Sequence, residues 1–256
     1  MSDHTSGAAV TLPYIGVDGC AGGWLCVALG DGGEWRVRLL ADNEPLGELA
    51  RHARLMLIDM PIGLPGSNSS GQRQCDVAAR RLLGRPRASS VFPVPSRATM
   101  SATSYSEALL LNRQHTGRGI SKQAWNIVPK IVQIDRLLQA RPELKTCLRE
   151  CHPEVCFWAL NGQRAMAFNK KTSEGRDERL HILMSLLPQT QNIFEHAMQN
   201  YRRRTVASDD VIDAMVVALT ARLGHNRLHL LPEKPPSDDT GLSMEIVYAT
   251  TPGRLE

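Results

Sequence analysis

Short apolar runs and one cleanly alternating stretch dominate the first sixty residues. Residues 14–18 form an apolar run that ends in Asp18, the turn Gly19-Cys-Ala-Gly-Gly23 follows, and residues 24–29 form a second apolar run. Gly30-Asp-Gly-Gly33 reads as a hairpin turn. From 34 to 40 the positions alternate, with Trp35, Val37 and Leu39 on one side and Arg36 and Arg38 on the other, the period of a strand with one wet face. Three antiparallel strands are expected. Asp42 is placed to cap a helix in which Leu46, Leu49, Ala50 and Ala53 share a face. Leu55-Met-Leu-Ile-Asp59 is again a continuous apolar run closed by an acid, the pattern of a strand buried on both faces.

Residues 66–128 break this rhythm. A basic amphipathic helix is expected over 72–83, a proline-rich irregular stretch over 88–98, and a helix opened by the capping box Ser104/Glu107 over 104–113. The block reads as a mostly helical insertion that caps a site. The rhythm then resumes, with a helix over 129–139, a short strand over 146–151 ending near Glu150, and a brief helix from Pro153 to Leu160. Helices are expected over 174–187, 191–203 and 209–223, the last capped by Ser208, with apolar runs at 228–231 and 244–248. The order β-β-β-α-β, then α-β, then a late helix resembles the way a ribonuclease H-like domain begins. The expected fold class is therefore α/β, with a mixed sheet of three antiparallel strands followed by parallel strands, flanked by helices. The crossover rule makes the fourth strand a parallel neighbour of the first. Residues 1–13 read as a flexible tail and 14–250 as one domain carrying the insertion.

Composition narrows the class. The 256 residues are 42% hydrophobic and 22% charged, ordinary for a globular protein with a sizeable core. No stretch reaches the roughly 20 apolar residues that span a bilayer, and the N-terminus lacks a basic segment followed by an apolar one. The net charge of +4 does not by itself imply nucleic acid, though it suits a phosphate-rich substrate. The six cysteines include no CxxC pair and no zinc-like cluster, which reads as free thiols in a reducing cytoplasm. Oligomeric state is not legible.

Asp18 and Asp59 each close a strand. If those strands are parallel neighbours, both carboxylates emerge at the carboxyl edge where α/β sheets place ligands. Adjacent carboxylates repel unless a proton or a cation lies between them, and oxygen donors favour Mg2+ or Mn2+. Asp210 and Asp213 share a face of the last long helix. Asp210 also suits the helix dipole, whereas Asp213 lies in Val-Ile-Asp-Ala-Met-Val-Val-Ala-Leu and needs a partner, a shared ion or a local salt bridge. Glu150 and Glu154 flank His152-Pro153 and are further candidates, Glu150 as a metal ligand and Glu154 for catalysis. His152 offers a proton shuttle or a buried structural ring. Lys170, Lys171, Arg176 and Arg179 form a basic group able to clamp phosphate or to open a solvated helix. Arg73, Arg80, Arg81, Arg85, Arg87 and Arg97 make the insertion basic, with Arg73 and Arg97 the candidates for contact with a substrate backbone.

These residues form a recognisable series. Ile15-Gly-Val-Asp-Gly-Cys-Ala-Gly-Gly-Trp24, Ile58-Asp-Met-Pro-Ile-Gly-Leu-Pro65, Ser89-Ser-Val-Phe-Pro93, Glu150-Cys-His-Pro-Glu154, Lys171 with Gly175-Arg-Asp-Glu-Arg179, and Asp209-Asp-Val-Ile-Asp-Ala214 resemble the domain of unknown function 429. That family is described as predicted ribonuclease H-like nucleases. The acids on strands one and four and the D-x-x-D opening the last helix are also similar to those of Holliday-junction resolvases, which Asp18, Asp59, Asp210 and Asp213 match position by position. The insertion after Asp59 departs from that pattern. The resemblance implies metal-dependent phosphodiester hydrolysis on DNA or RNA. Asp18 would bridge two ions, and Asp59, Asp213 and Asp210 would hold them. Two alternatives stand beside it. One is a non-catalytic nucleic-acid-binding or scaffold protein on the same fold. The other is an actin-like ATPase, whose strand-one turn Gly16-Val-Asp-Gly-Cys-Ala-Gly22 resembles but whose second phosphate loop is missing from this sequence.

Overall fold

The computed structural model describes residues 12–66 and 71–251, so the tail expected over 1–13 lies almost wholly outside the described residues. Strands β1 (Tyr14–Cys20), β2 (Gly23–Leu29) and β3 (Trp35–Leu40) form the antiparallel meander. Helix α1 (Glu44–His52) crosses to β4 (Leu55–Asp59), which pairs parallel with β1. Strand β5 (Leu148–Glu150) pairs parallel with β4, giving the order β3-β2-β1-β4-β5. This is the α/β ribonuclease H-like arrangement expected from the sequence.

Strand parity sorts the side chains into two layers. Ile15, Val17, Met56 and Ile58 face one way, onto α1 and the long helix α4 (Lys122–Ala140). Tyr14, Leu55 and Leu57 face the other way. That side is covered by α5 (Pro153–Leu160), α6 (Ser173–Leu186), α7 (Thr190–Asn200) and α8 (Ser208–Gly224). Helix α8 lies directly across β1 because Gly16 has no side chain. A Cβ there would stand 2.1 Å from the Ala218 nitrogen and 2.3 Å from the Ala214 carbonyl oxygen.

Between β4 and α4, the insertion contributes α2 (Gln74–Arg87), α3 (Tyr105–Thr116) and two short 3-10 turns. Strands β6 (His229–Leu231) and β7 (Ile246–Tyr248) form a separate antiparallel pair beside β5. No helix among the described residues is long and apolar enough to cross a membrane. All six cysteines are free, and five are buried.

Local details differ from expectation. Helix α4 begins at Lys122, capped by Ser121, and runs through Pro129 although a proline donates no backbone hydrogen bond. Its apolar face, Val128, Ile131, Ile134 and Leu138, outweighs that loss. Asn43, rather than Asp42, stands at the start of α1, and its side-chain amide donates to the Gln133 carbonyl instead of capping. Ala207, rather than Ser208, precedes α8.

Candidate functional site

Asp18 and Asp59 are register partners on adjacent parallel strands. Both project from the sheet face that packs on α8, because Asp18 shares parity with Gly16 and Asp59 with Leu57. Asp213 stands on the first turns of α8, 2% exposed, and the close approach allowed by Gly16 brings that helix onto β1. Asp210 is one turn earlier, and its Oδ2 accepts the Ala207 N–H at 2.8 Å. It therefore closes the helix start while one turn from Asp213.

Crowding and burial push these carboxyls upward. The Asp18 carboxyl lies well above the ordinary aspartate value, through burial first and then the charges of Asp59, Asp213 and Asp210. Burial likewise lifts Asp59 to about 6, with Asp213 and Glu154 adding to the effect and His152 and Lys170 opposing it. Asp210 is lifted to about 6, again chiefly by burial.

The cation that answers this charge is Lys170. Its ammonium donates to Asp213 Oδ2 at 2.6 Å, and its own proton affinity rises, first through Asp213 and then through Asp59 and Asp18. Gly175 sets this lysine in place. A Cβ at Gly175 would stand 1.8 Å from the Asn169 carbonyl oxygen, so only glycine lets the segment carrying Lys170 lie on the first turn of α6. The other oxygen of Asp213, Oδ1, is buried without a hydrogen-bond partner among the described residues. A second cation, Lys130 of α4, approaches from the far side. It donates to the Gly23 carbonyl at 2.6 Å and sits 4.4 Å over the Trp24 ring.

Glu154 joins the site from α5. Its Oε1 accepts from Arg179 at 2.5 Å, while its buried Oε2 has no partner. Arg179 is 1% exposed and also holds the Gly175 and Phe168 carbonyls, so it positions Glu154 and α6 rather than facing solvent. His152 Nδ1 accepts the Glu154 N–H at 3.2 Å. The other ring nitrogen then donates to the Ser90 carbonyl at 3.4 Å, and both nitrogens have structural partners.

Glu150 is placed elsewhere. Its register partner is Ile58, not Asp59, so it faces the opposite side of the sheet from Asp18 and Asp59. Both its oxygens accept from Arg73 at 2.6 Å, and Oε2 also accepts the Ile62 N–H. Burial raises Glu150 to about 7 despite that pairing. Arg73, read from the sequence as a substrate contact, is 2% exposed and engaged with Glu150, Asp76 and the Ile62 carbonyl. Arg97 is bound to Asp135 and Asp238, tying the insertion to α4 and to the C-terminal loop. Neither guanidinium is available to a phosphate. Lys171 is exposed, and Arg176 is partly exposed beside Asp177. These two, with Lys170, are basic candidates near the acids, and Arg87 lines the cavity beside Asp59 as well.

A cavity of about 430 Å³ opens beside Asp59, walled by Met60, Val91, Phe92, His152, Glu154 and Lys170 among others. A second, more open groove of about 390 Å³ shares Lys170 and Lys171 and reaches Arg176, Asp209 and Asp210. Among the described residues no three His, Cys, Asp or Glu side chains form a ready-made metal cage. The donor chemistry nevertheless suits a hard divalent ion. It comprises several carboxylates with raised proton affinity, a partnerless buried oxygen on Asp213, and a lysine now serving as counter-ion.

Lys130, Ser89 and Gln123 were not singled out from the sequence as site residues. Lys130 carried a weak signal, a cation amid the apolar pattern of α4, Ser89 opens the Ser89-Ser-Val-Phe-Pro93 motif without a role being assigned to it, and Gln123 carried none. No curated protein and no solved structure matches the chain. A family model described as a protein of unknown function, DUF429, matches residues 16–237, and the chain belongs to that family.

Proposed function

We propose that the chain is a divalent-metal-dependent phosphodiesterase acting on nucleic acid, with Asp18, Asp59 and Asp213 as metal-holding carboxylates and Asp210 at their margin. The observation that carries this reading is the in-register pair Asp18–Asp59 facing Asp213, whose Oδ1 is buried and partnerless. A bound Mg2+ or Mn2+ would supply Lewis acidity and lower the proton affinity of a water. Around it, Asp18 and Asp59 provide oxygen donors from the rigid sheet, and Asp213 provides one from α8. Glu154, held by Arg179 through one oxygen, offers the other to orient the attacking water. With an ion held at Asp213, Lys170 would be free to donate to a non-bridging phosphate oxygen, and Lys171 and Arg176 would bind the flanking backbone. Water oxygen bonds to phosphorus and the P–O ester bond breaks. The departing oxygen takes up the proton that the attacking water gives up, leaving one phosphate monoester and one hydroxyl end. Free thiols throughout the chain fit a cytoplasmic setting.

The test is manganese titration by calorimetry, alongside hydrolysis of single-stranded, duplex and branched DNA and RNA. Wild type should bind manganese and cleave. Asp18→Asn and Asp213→Asn should fold, bind manganese at least tenfold more weakly and cleave nothing. Absence of manganese binding by wild type overturns the reading. A second reading, a non-catalytic nucleic-acid-binding protein, draws on the Lys170–Asp213 pair, which supplies a cation without any metal. Nucleic-acid binding without turnover in any metal would select it.

A further inference from the structure

We propose that the 430 Å³ cavity beside Asp59 receives one nucleoside unit of the substrate, unstacked from its neighbours, so that the protein acts on single strands or frayed ends rather than intact duplex. The proposal rests on the phosphodiesterase reading only for which phosphate lies at the acids.

Three observations carry it. First, Asp59 and Lys170 form part of the cavity wall, so a backbone phosphate brought to the acids must place its adjoining nucleoside inside or against the cavity. The volume is that of a small-molecule pocket. A base that is still paired and stacked in a duplex must first be drawn out of it to enter a pocket of this size. Second, the lining suits a base. Val91, Phe92 and Val94 of the insertion, with Met60, Pro61 and Pro153, supply the apolar part of a lining that also includes the mutually paired Arg73, Asp76 and Glu150. Phe92 also packs against the cluster of Ala108, Ile120, Ala124 and Val128 between α3 and α4, which fixes its ring. Ser89 and Gln123 add hydrogen-bonding groups at exposed positions. Enzymes that act on one nucleotide commonly draw it into such a pocket between apolar faces.

Third, the polar ends are ordered. Glu154 is a wall residue, and its buried Oε2 has no hydrogen-bond partner among the described residues, leaving an acceptor that a water or sugar hydroxyl can satisfy. Lys170 and Lys171 line both this cavity and the open groove that continues to Arg176. A strand whose nucleoside occupies the cavity therefore has a basic exit for its next phosphates.

The test reads binding rather than turnover. A fluorescein-labelled ten-nucleotide single strand, DNA and RNA in turn, and a blunt duplex of the same sequence are titrated into wild type by anisotropy, in EDTA and in manganese. Single strands should bind at least tenfold more tightly than duplex. Ser89→Trp, which places an indole at the cavity, and Phe92→Ala, which removes the stacking ring, should each weaken single-strand binding about tenfold. If either variant fails to fold, the other and a photo-cross-link carry the test. A single strand bearing one 5-iodouracil should cross-link to the peptide containing Phe92. Equal affinity for duplex overturns the proposal, as does single-strand binding that both folded variants leave within twofold, or a cross-link confined to residues outside the cavity. Because binding is also read in EDTA, a failure of the metal reading alone leaves single-strand selectivity and the cross-link intact.

Discussion

Replacing Asp18 by asparagine removes one negative charge from the crowded end of the sheet and leaves the side chain's shape almost unchanged. Adjacent strands lie about 4.8 Å apart, and two unit charges about 5 Å apart at an effective dielectric near 20 repel by about 3 kcal/mol. Asp18 is 7% exposed, so solvent screens little of this. Asp213 and Asp210 add repulsion, and Lys170 offsets part. In EDTA at pH 8 the variant should be more stable than wild type by about 1–3 kcal/mol, or about 2–10 °C in Tm at this size. The sign depends on pH. Asp18, Asp59 and Asp210 all have folded-state values above the ordinary 3.8, the last two at about 6. Between 3.8 and about 6 the folded protein therefore holds more protons than the unfolded chain, and metal-free wild type loses stability as pH rises through that window. As pH falls, the raised Asp18 carboxyl takes up its proton before an ordinary aspartate does and comes to resemble asparagine, so the variant's advantage should shrink between pH 8 and pH 5. With manganese the order should reverse, because only wild type keeps the full ligand set. Melts at pH 5 and pH 8, with EDTA and with manganese, read all of this. An Asp18→Asn protein that melts at or below wild type at pH 8 in EDTA, or by the same margin at both pH values, would refute the reasoning.

Other residues carry further expectations. Gly16→Ala should destabilise by about 3 kcal/mol or more, because the new methyl meets the backbone of α8 and not a flexible side chain. Urea unfolding measures this, and a loss under about 1 kcal/mol would contradict the packing account. Lys170→Met leaves the buried Asp213 without its cation. With the lysine side chain 37% exposed, the loss in EDTA should be about 1–3 kcal/mol, and the gain on adding manganese should exceed that of wild type, since no ammonium competes with the ion. Equal manganese gains would show that Lys170 and the ion do not share Asp213. Arg73→Met strands Glu150 and Asp76 in the interior and should cost about 3–5 kcal/mol in the same unfolding experiment, whatever happens to metal binding. A loss within about 1 kcal/mol would show that Arg73 is not holding the two carboxylates.

The sheet and its two strand-end acids were readable because each rests on a local pattern. An apolar run closed by an aspartate needs only the crossover rule to put Asp18 beside Asp59. Glu150 also closes a strand, but its register places it opposite Ile58, and a one-residue offset moves a side chain to the other face of a sheet. Nothing within the three residues of β5 announces that offset. Helix α4 was foreshortened for a related reason, since Pro129 reads locally as a first-turn proline while the apolar face that keeps the helix continuous depends on what packs against it.

The arginines expose a deeper limit of the linear pattern. Clustered in the insertion, they suggest a basic roof over the acids, but charge counted along a chain says nothing about which carboxylates fold back to meet it. Arg73 finds Glu150 from 77 residues away, and Arg97 finds Asp238 from 141 away. The insertion is thereby stitched to β5, to α4 and to the C-terminal loop. Its contribution near the acids is then part of the cavity wall, Val91, Phe92 and Val94 beside Arg87 and the paired Arg73 and Asp76. The positive charge at the acids comes from Lys170, whose place depends on the absent side chain of Gly175. In the sequence Lys170 reads as one of a basic cluster facing phosphate or solvent, not as the counter-ion of a buried aspartate. The structure supplies that role through a close backbone contact that one methyl group would prevent. Gly175→Ala should therefore mimic Lys170→Met in metal-dependent melting while leaving every charge in the chain unaltered. A Gly175→Ala protein whose melts match wild type with and without manganese would detach Lys170 from that glycine.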